Sequence, residues 1–288
     1  MLRNSSRLPR FTRAPQKAGG FRVTPRDLQI LRVVAEHRFI RSEWIARLAG
    51  GSYQQVIRRL HLLYHHSYLD RPRAQIDYYH EGGSHSMIYG LASRGAGRLR
   101  RDLNMPFERM DWTTRNRHAS RLLLEHTVLL SDFMATQLIE GGGERKRFVN
   151  AEDLDLRADP RKSGPIRWSY SNCGGRRMTL IPDKVFAFDE KDQNGKVTRS
   201  HYLVEADRGT MPIKRSNPRQ TSIMQKLHGY HLLSRVLHRL PPRTFVVIVS
   251  ASPQRLANIV AEIRKAALPS SLFKMAHPEG MELPDPAE

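Results

Sequence analysis

The chain has 288 residues, with 48 Lys and Arg against 28 Asp and Glu, a formal net charge of +20 and 39% apolar residues. This length suggests two ordinary domains, and the charge surplus calls for a polyanionic partner, usually nucleic acid. Cys173 is the only cysteine, which excludes a disulfide within the chain and a Cys-based zinc site; no apolar run reaches the roughly 18 residues of a membrane span, so a cytoplasmic protein is expected.

The surplus is uneven. Residues 1–120 hold 22 Lys and Arg against 9 Asp and Glu, and Lys17 is the one lysine among them. Arginine forks onto phosphates and guanine edges, which suits DNA. A solvated basic surface, or arginine-rich codon usage, would leave the same composition. Residues 1–20 carry Arg, Pro, Ser and Gly but no apolar core segment. They read as a disordered basic arm rather than a secretory signal.

Thr24-Pro25-Arg26-Asp27 predicts a helix start: an N-cap, a proline in the first turn and an acid. Leu28, Leu31, Val34 and Ala35 follow at helical spacing. The stretch Phe39 to Ser42 ends this helix and caps a short second one, Glu43 to Leu48. Gly50-Gly51 turns the chain, and Ser52 starts a third helix through about Tyr64, with Val56, Ile57, Leu60 and Leu63 as its buried stripe. Tyr68-Leu69 and Met87 to Leu91 then flank a polar stretch with Gly82-Gly83, the pattern of a β-hairpin. Ser93 to Leu103 reads as a closing helix. Three helices and a hairpin are the order of a winged helix-turn-helix over residues 21–105.

Residues 106–116 read as a linker. A helix is predicted from about Arg117 to Ile139, with Leu122, Leu123, His126, Leu129, Leu130 and Phe133 inward, and Gly141 to Gly143 stop it. A strand at 146–149 follows, then a polar loop over 150–175 that has room for an irregular strand around Ile166–Tyr170. Met178 to Phe188 reads as one strand, Asp192 to Lys196 as a turn in which Asn-Gly supplies positive φ, and Ser200 to Glu205 as the return strand. A helix over 218–240, a strand over 244–250 and a helix over 253–267 complete a second domain at 117–270, with a loose tail at 271–288. The overall class is α+β, the second domain having the order α-β-β-β-α-β-α and a mixed sheet.

The third helix has the two faces that a major-groove helix needs. Opposite its apolar stripe stand Ser52, Gln54, Gln55, Arg58 and Arg59. Gln pairs with adenine and Arg with guanine. Arg71, Arg73 and His85 on the hairpin are candidates for phosphate or minor-groove contact. A winged helix used only for protein contact is the alternative.

A second constellation lies on the later hairpin. Ile181-Pro182-Asp183 opens one strand and Val204-Glu205-Ala206-Asp207 closes the other. A turn centred between Asn194 and Gly195 pairs position 183 with about 206, so Asp183, Glu205 and Asp207 converge at one sheet end. Such a cluster suits Mg²⁺ or Mn²⁺, which activates water and stabilises a phosphoryl transition state. Pairing with Arg208, Lys214 or Arg215 accounts for the acids equally well on spacing alone. Histidines such as His61, His65 and His66 lack a convincing third partner for zinc, and no phosphate-binding glycine loop is present.

The winged helix, the Pro-Asp strand and the segment Glu205 to Thr210 together resemble the replication-relaxation family, encoded on bacterial plasmids, phages and integrative elements. The resemblance covers roughly residues 22–250 and is strongest at Val23 to Asp27, Ile88 to Leu91, Ile181 to Asp183 and Glu205 to Thr210. The second domain is also similar to the PD-(D/E)XK phosphodiesterase superfamily. That resemblance implies Asp183 and Glu205 as metal ligands, with Glu125 as a carboxylate from the first helix. Asp207 stands where the motif has Lys; Lys226, on the following helix, is the candidate replacement. The resemblance implies a DNA-binding accessory or regulatory protein of a mobile element, with double-stranded DNA and a relaxase or replication protein as partners. The alternatives are a Mg²⁺-dependent endonuclease or nickase using Asp183, Glu205, Asp207 and Lys226, and a repressor acting as a homodimer. Whether Lys226 or Arg208 reaches the Asp183–Glu205 pair separates the first two.

Overall fold

The computed structural model describes residues 8–15, 21–79, 86–107, 109–156, 166–171, 177–216 and 220–278. The chain forms two compact units, residues 1–132 and 133–288, each with helices and a sheet.

The first unit runs α1 (Pro25–His37), β1 (Phe39–Arg41), α2 (Ser42–Ala49), α3 (Tyr53–His65), β2 (Leu69–Asp70), β3 (Ile88–Leu91), α4 (Ser93–Leu103) and α5 (Trp112–Arg117), then enters α6 (Arg121–Glu140). The strands form an antiparallel sheet in the order β1-β3-β2. Leu31 and Val34 of α1, Ile45 of α2 and Val56, Leu60 and Leu63 of α3 are all fully buried, as the apolar periodicity predicts; Leu28, Ala35 and Ile57, expected with them, are half-buried, and Ile30, outside the expected stripe, is fully buried. Gly50 (φ 69°) and Gly51 (φ 85°) make the α2–α3 turn in a region that glycine enters without a Cβ clash. Buried Gln75 acts as a substitute strand: its side chain exchanges hydrogen bonds with Ile88 N and O and also donates to Pro72 O. The hairpin tip, with Gly82, Gly83 and His85, lies outside the described residues.

Two segments differ from expectation. The linker at 106–116 contains most of α5, whose Asn116 is buried and donates to Leu91 O at 2.8 Å. The arm at 1–20 is described at residues 8–15, and these dock: Arg13 bonds Leu69 O (3.1 Å) and Asp70 (2.9 Å).

The unit boundary falls within α6. Among the described helices, α6 is the one long and apolar enough to cross a membrane. It has the contacts of a core helix instead: Leu124 and Val128 pack with Phe39 and Ile88 in the first unit, and Phe133 meets Phe186 in the second. Leu122 and Leu123, expected inward, are 58% and 45% exposed; Leu124 and Val128 are buried in their place, while Leu129, Leu130 and Phe133 are buried as expected.

The second unit contains β4 (Lys146–Asn150), β5 (Trp168–Ser171), β6 (Arg177–Leu180), β7 (Lys184–Lys191), β8 (Val197–Ala206), α7 (Ile223–His231), β9 (Thr244–Val249), α8 (Pro253–Lys265) and β10 (Phe273–Ala276). Its five-stranded sheet has the order β10-β9-β8-β7-β4. β4, β7 and β8 are antiparallel, whereas β8, β9 and β10 are parallel, so the sheet is mixed. Val185, Leu203, Val246 and Ile248 form one core with Leu227 and Tyr230 of α7 and Leu256, Ile259 and Ile263 of α8.

Four further expectations change here. The strand at 178–188 is two strands broken at Ile181-Pro182, because proline has no N–H for a ladder. β6 pairs with β5 in a separate sheet, and Asp183 N resumes pairing by donating to Val204 O (2.9 Å). The turn carries positive φ at Gly195 but not at Asn194; instead the Asp192 carboxylate accepts from the N–H groups of Asn194 and Lys196. The predicted helix at 218–240 is shorter: α7 ends at His231 and continues as one π-helical stretch, Leu232–Val236. The tail expected to be loose contains β10, whose Phe273 and Met275 are buried beside β9.

Candidate functional sites

The first site is the outer face of α3. Ser52 sits at the N-cap position with no capping side-chain bond. Ser52, Gln54, Gln55 and Arg58 are all exposed, and Gln55 accepts from Arg26 at 3.3 Å. These side chains present hydroxyl, amide and guanidinium groups along two helical turns, opposite the buried stripe.

Arg59 has a different task. Its Nε donates to Asp27 Oδ1 (2.8 Å) and its Nη2 to Oδ2 (2.5 Å), while the guanidinium stacks on Phe21. Asp27 is fully buried. It also accepts from Thr24 N (2.7 Å) and Thr24 Oγ1 (2.8 Å), closing a capping box at the start of α1. Burial alone would raise the Asp27 carboxyl; the bonds from Arg59 and Thr24 outweigh it and hold the group below the usual carboxylate range. Arg71, expected to reach phosphate, is buried. It donates to Arg10 O (2.5 Å) and Tyr89 Oη (3.0 Å) and lies over Tyr64. Arg73 is exposed.

The second site is at the β7–β8 end of the larger sheet. Glu205, buried near the end of β8, is held at both oxygens from one helix. Lys226 Nζ of α7 donates to Oε2 (2.6 Å), and Tyr230 Oη, one turn later, donates to Oε1 (2.5 Å). The register that pairs Lys184 with Val204 sets Asp183 opposite Glu205, one residue from the position expected. Asp183 Oδ2 accepts from Ala206 N at 2.9 Å. Burial pushes the Glu205 carboxyl up despite Lys226, and the Asp183 charge adds to the rise. Burial works against the Lys226 ammonium, but Glu205, with Asp183 and Asp207 behind it, outweighs burial and raises it. Tyr230 is pushed well above its ordinary value by burial and by the Glu205 charge.

The structure thus brings Asp183, Glu205 and Lys226 together. Asp207 is engaged elsewhere: it accepts from Arg255 Nε of α8 (2.6 Å) and Gly209 N (3.0 Å), and Arg255 also donates to Met211 O. Asp207 therefore ties the end of β8 to α8. Glu125 pairs with Arg121 at 2.6 Å in the first unit. Arg215, one of the cations considered for the acids, bonds Gln220 and Thr221 O. Tyr230 and Arg255 escaped the sequence reading. Tyr230 had one usable signal, its place four residues after Lys226 on the same helix face.

The acids do not form a cation cage as they stand. Among the described residues no three His, Cys, Asp or Glu side chains are gathered to hold a metal. Both Glu205 oxygens already accept hydrogen bonds.

Neither the curated proteins nor the solved structures contain a match to the chain. The family model for replication-relaxation matches residues 31–247, within the span that the sequence motifs marked out and well over half of the chain. The chain is a member of the replication-relaxation family.

Proposed function

We propose that this protein is a DNA-binding accessory or regulatory factor in the replication or mobilisation of a plasmid or other mobile element, acting in the cytoplasm. Family membership supports the setting. The first unit is read as a winged helix-turn-helix, with α3 in the major groove and the β2–β3 hairpin as the wing. The second is read as a PD-(D/E)XK-like domain that holds DNA or a partner such as a relaxase. One observation carries the reading: α3 buries one face completely and exposes Ser52, Gln54, Gln55 and Arg58 on the other. Arg73 and the basic surplus of the first 120 residues supply phosphate contacts.

Duplex affinity measured across a salt series tests it. With six to ten phosphate contacts, affinity falls by about 10³–10⁵ between roughly 50 and 200 mM salt. Salt-independent binding, or none at low salt, would sink the reading.

A second reading, Mg²⁺- or Mn²⁺-dependent strand cleavage, is favoured because Lys226 does reach the Asp183–Glu205 pair, the placement expected of an endonuclease; against it, both Glu205 oxygens are already taken by Lys226 and Tyr230. Asp183 and Glu205 would be the ligands, and Lys226 would first have to leave Glu205. The expected result on supercoiled plasmid is no nicking with either cation. Nicking that disappears in Asp183→Ala and Glu205→Ala would make the protein an enzyme instead.

A further inference from the structure

Residues 8–15 rest on the C-terminal end of α3 and on β2 through three kinds of contact. Arg13 bonds Leu69 O and Asp70 and lies 4.4 Å from the Tyr64 ring centroid. Buried Arg71 donates to Arg10 O. The third contact is a backbone N–H on an imidazole: Ala14 N donates to His65 Nδ1 at 2.9 Å. Behind it, His65 Nε2 is 3.2 Å from His61 Nε2, and His61 Nδ1 is 3.1 Å from Arg71 Nη2.

The proton count along this chain is tight. Accepting from Ala14 leaves His65 Nδ1 bare, so the His65 proton is on Nε2 and points at His61. A neutral His61 then accepts at Nε2 and carries its own proton on Nδ1, facing the donor Arg71. In the other tautomer it accepts from Arg71 and faces the His65 N–H. With two neutral rings one contact already sets donor against donor. A further proton on His65 must go to Nδ1, where it removes the acceptor of Ala14. A further proton on His61 leaves that ring with two donors against His65 and Arg71.

We propose that residues 8–15 form a proton-controlled latch, docked on α3 and β2 while His61 and His65 are neutral and released when the ring pair takes up a proton. The charges facing the pair oppose protonation: Arg13 from the arm, Arg71 after β2 and His66 at the end of α3. Asp70 is the acid of the cluster and is held by Arg13. The phenols of Tyr64 and Tyr89 complete the wall. Burial first, then His61, Arg71, Arg13 and His66, lowers the His65 value below the ordinary 6.5. A lowered histidine favours the docked form above 6.5, and docking weakens as pH falls below it. Released, residues 8–15 free the side chains of Arg10 and Arg13 from α3 and β2.

Hydrogen exchange of the intact protein, corrected for the intrinsic pH dependence, tests the latch. Protection at Ala14 is expected at pH about 7.5 and should fall by up to about tenfold per pH unit below 6.5, the limit for one linked proton. Arg13→Ala should lose this protection at both ends of the range while the amides of α1 and α3 stay protected. The imidazole titration of His65 provides the second readout. Its midpoint should rise toward 6.5 in Arg13→Ala, because the undocked ring loses burial beneath the arm and, with it, the opposing Arg13 charge. Protection at Ala14 that is equal at both pH values, or a His65 midpoint unchanged in Arg13→Ala, would overturn the latch.

Discussion

Glu205→Ala is expected to destabilise the protein by about 3–5 kcal/mol, the cost of removing one partner of a buried charge pair. The substitution strips acceptors from two α7 groups at once. Lys226 keeps a mostly buried ammonium whose side chain is 25% exposed. Tyr230, with no exposed surface, keeps a phenol aimed at nothing. Both groups tie α7 to β8, so the core that α7 shares with the sheet loosens with them. Glu205→Gln should cost less, because its amide oxygen still accepts from one of the two groups. A double-mutant cycle between Glu205→Gln and Lys226→Met should give a coupling of roughly 0.5–3 kcal/mol. Urea denaturation reads all five proteins. A loss in Glu205→Ala within about 0.5 kcal/mol, the range of an ordinary surface change, would mean that the cluster is not the clamp described.

Asp27→Ala should have a comparable effect, again about 3–5 kcal/mol, and should also weaken DNA binding. Asp27 performs two jobs with one carboxylate. It completes the capping box of α1, and it fixes Arg59, hence the first half of α3, against the start of α1. Asp27→Asn can keep the bonds from Thr24 while losing the charge that holds Arg59, so it should fall between wild type and Asp27→Ala. The sign of the pH dependence follows from the lowered carboxyl. The stabilisation is fully present above its unfolded value, near 3.8, and is lost as pH falls through the folded value below it. Stability curves of wild type and Asp27→Ala should therefore converge in acid. Curves that stay parallel down to about pH 2 would show that the Asp27 charge contributes little.

Much of the first unit was legible because its signals are local and periodic. The Thr24–Asp27 cap, the stripe Val56–Leu60–Leu63 and the Gly50-Gly51 turn each specify their own backbone. Arginine roles were not legible. Arg58, Arg59 and Arg71 look alike in a sequence, but only the first projects to solvent. Arg59 and Arg71 are captured by Asp27, Arg10 O and Tyr89 across sequence gaps that no helical period encodes. In the second unit, Pro182 stood in plain view, but the apolar residues on both sides of it read as one run. β10 was missed because four residues, even between the turn signals Pro269-Ser270-Ser271 and Pro278, are too few to establish alternation. The Asp183–Glu205 juxtaposition followed from hairpin arithmetic to within one residue. The Lys226 partnership came from the superfamily resemblance, and Tyr230 and Arg255 required the packing of α7 and α8.

The central claim is that α3 reads duplex DNA, and one measurement tests it most directly: fluorescence anisotropy of a duplex selected by the protein from random sequence, titrated with wild type and with the triple variant Gln54→Ala, Gln55→Ala, Arg58→Ala. All three side chains are exposed, so circular dichroism and thermal unfolding should be unchanged. Wild type should bind the selected duplex more tightly than a scrambled one. The variant should lose that preference, at about 1–3 kcal/mol for each base contact removed, while keeping salt-sensitive binding to both duplexes. A folded variant that discriminates between the duplexes as well as wild type does would contradict the account.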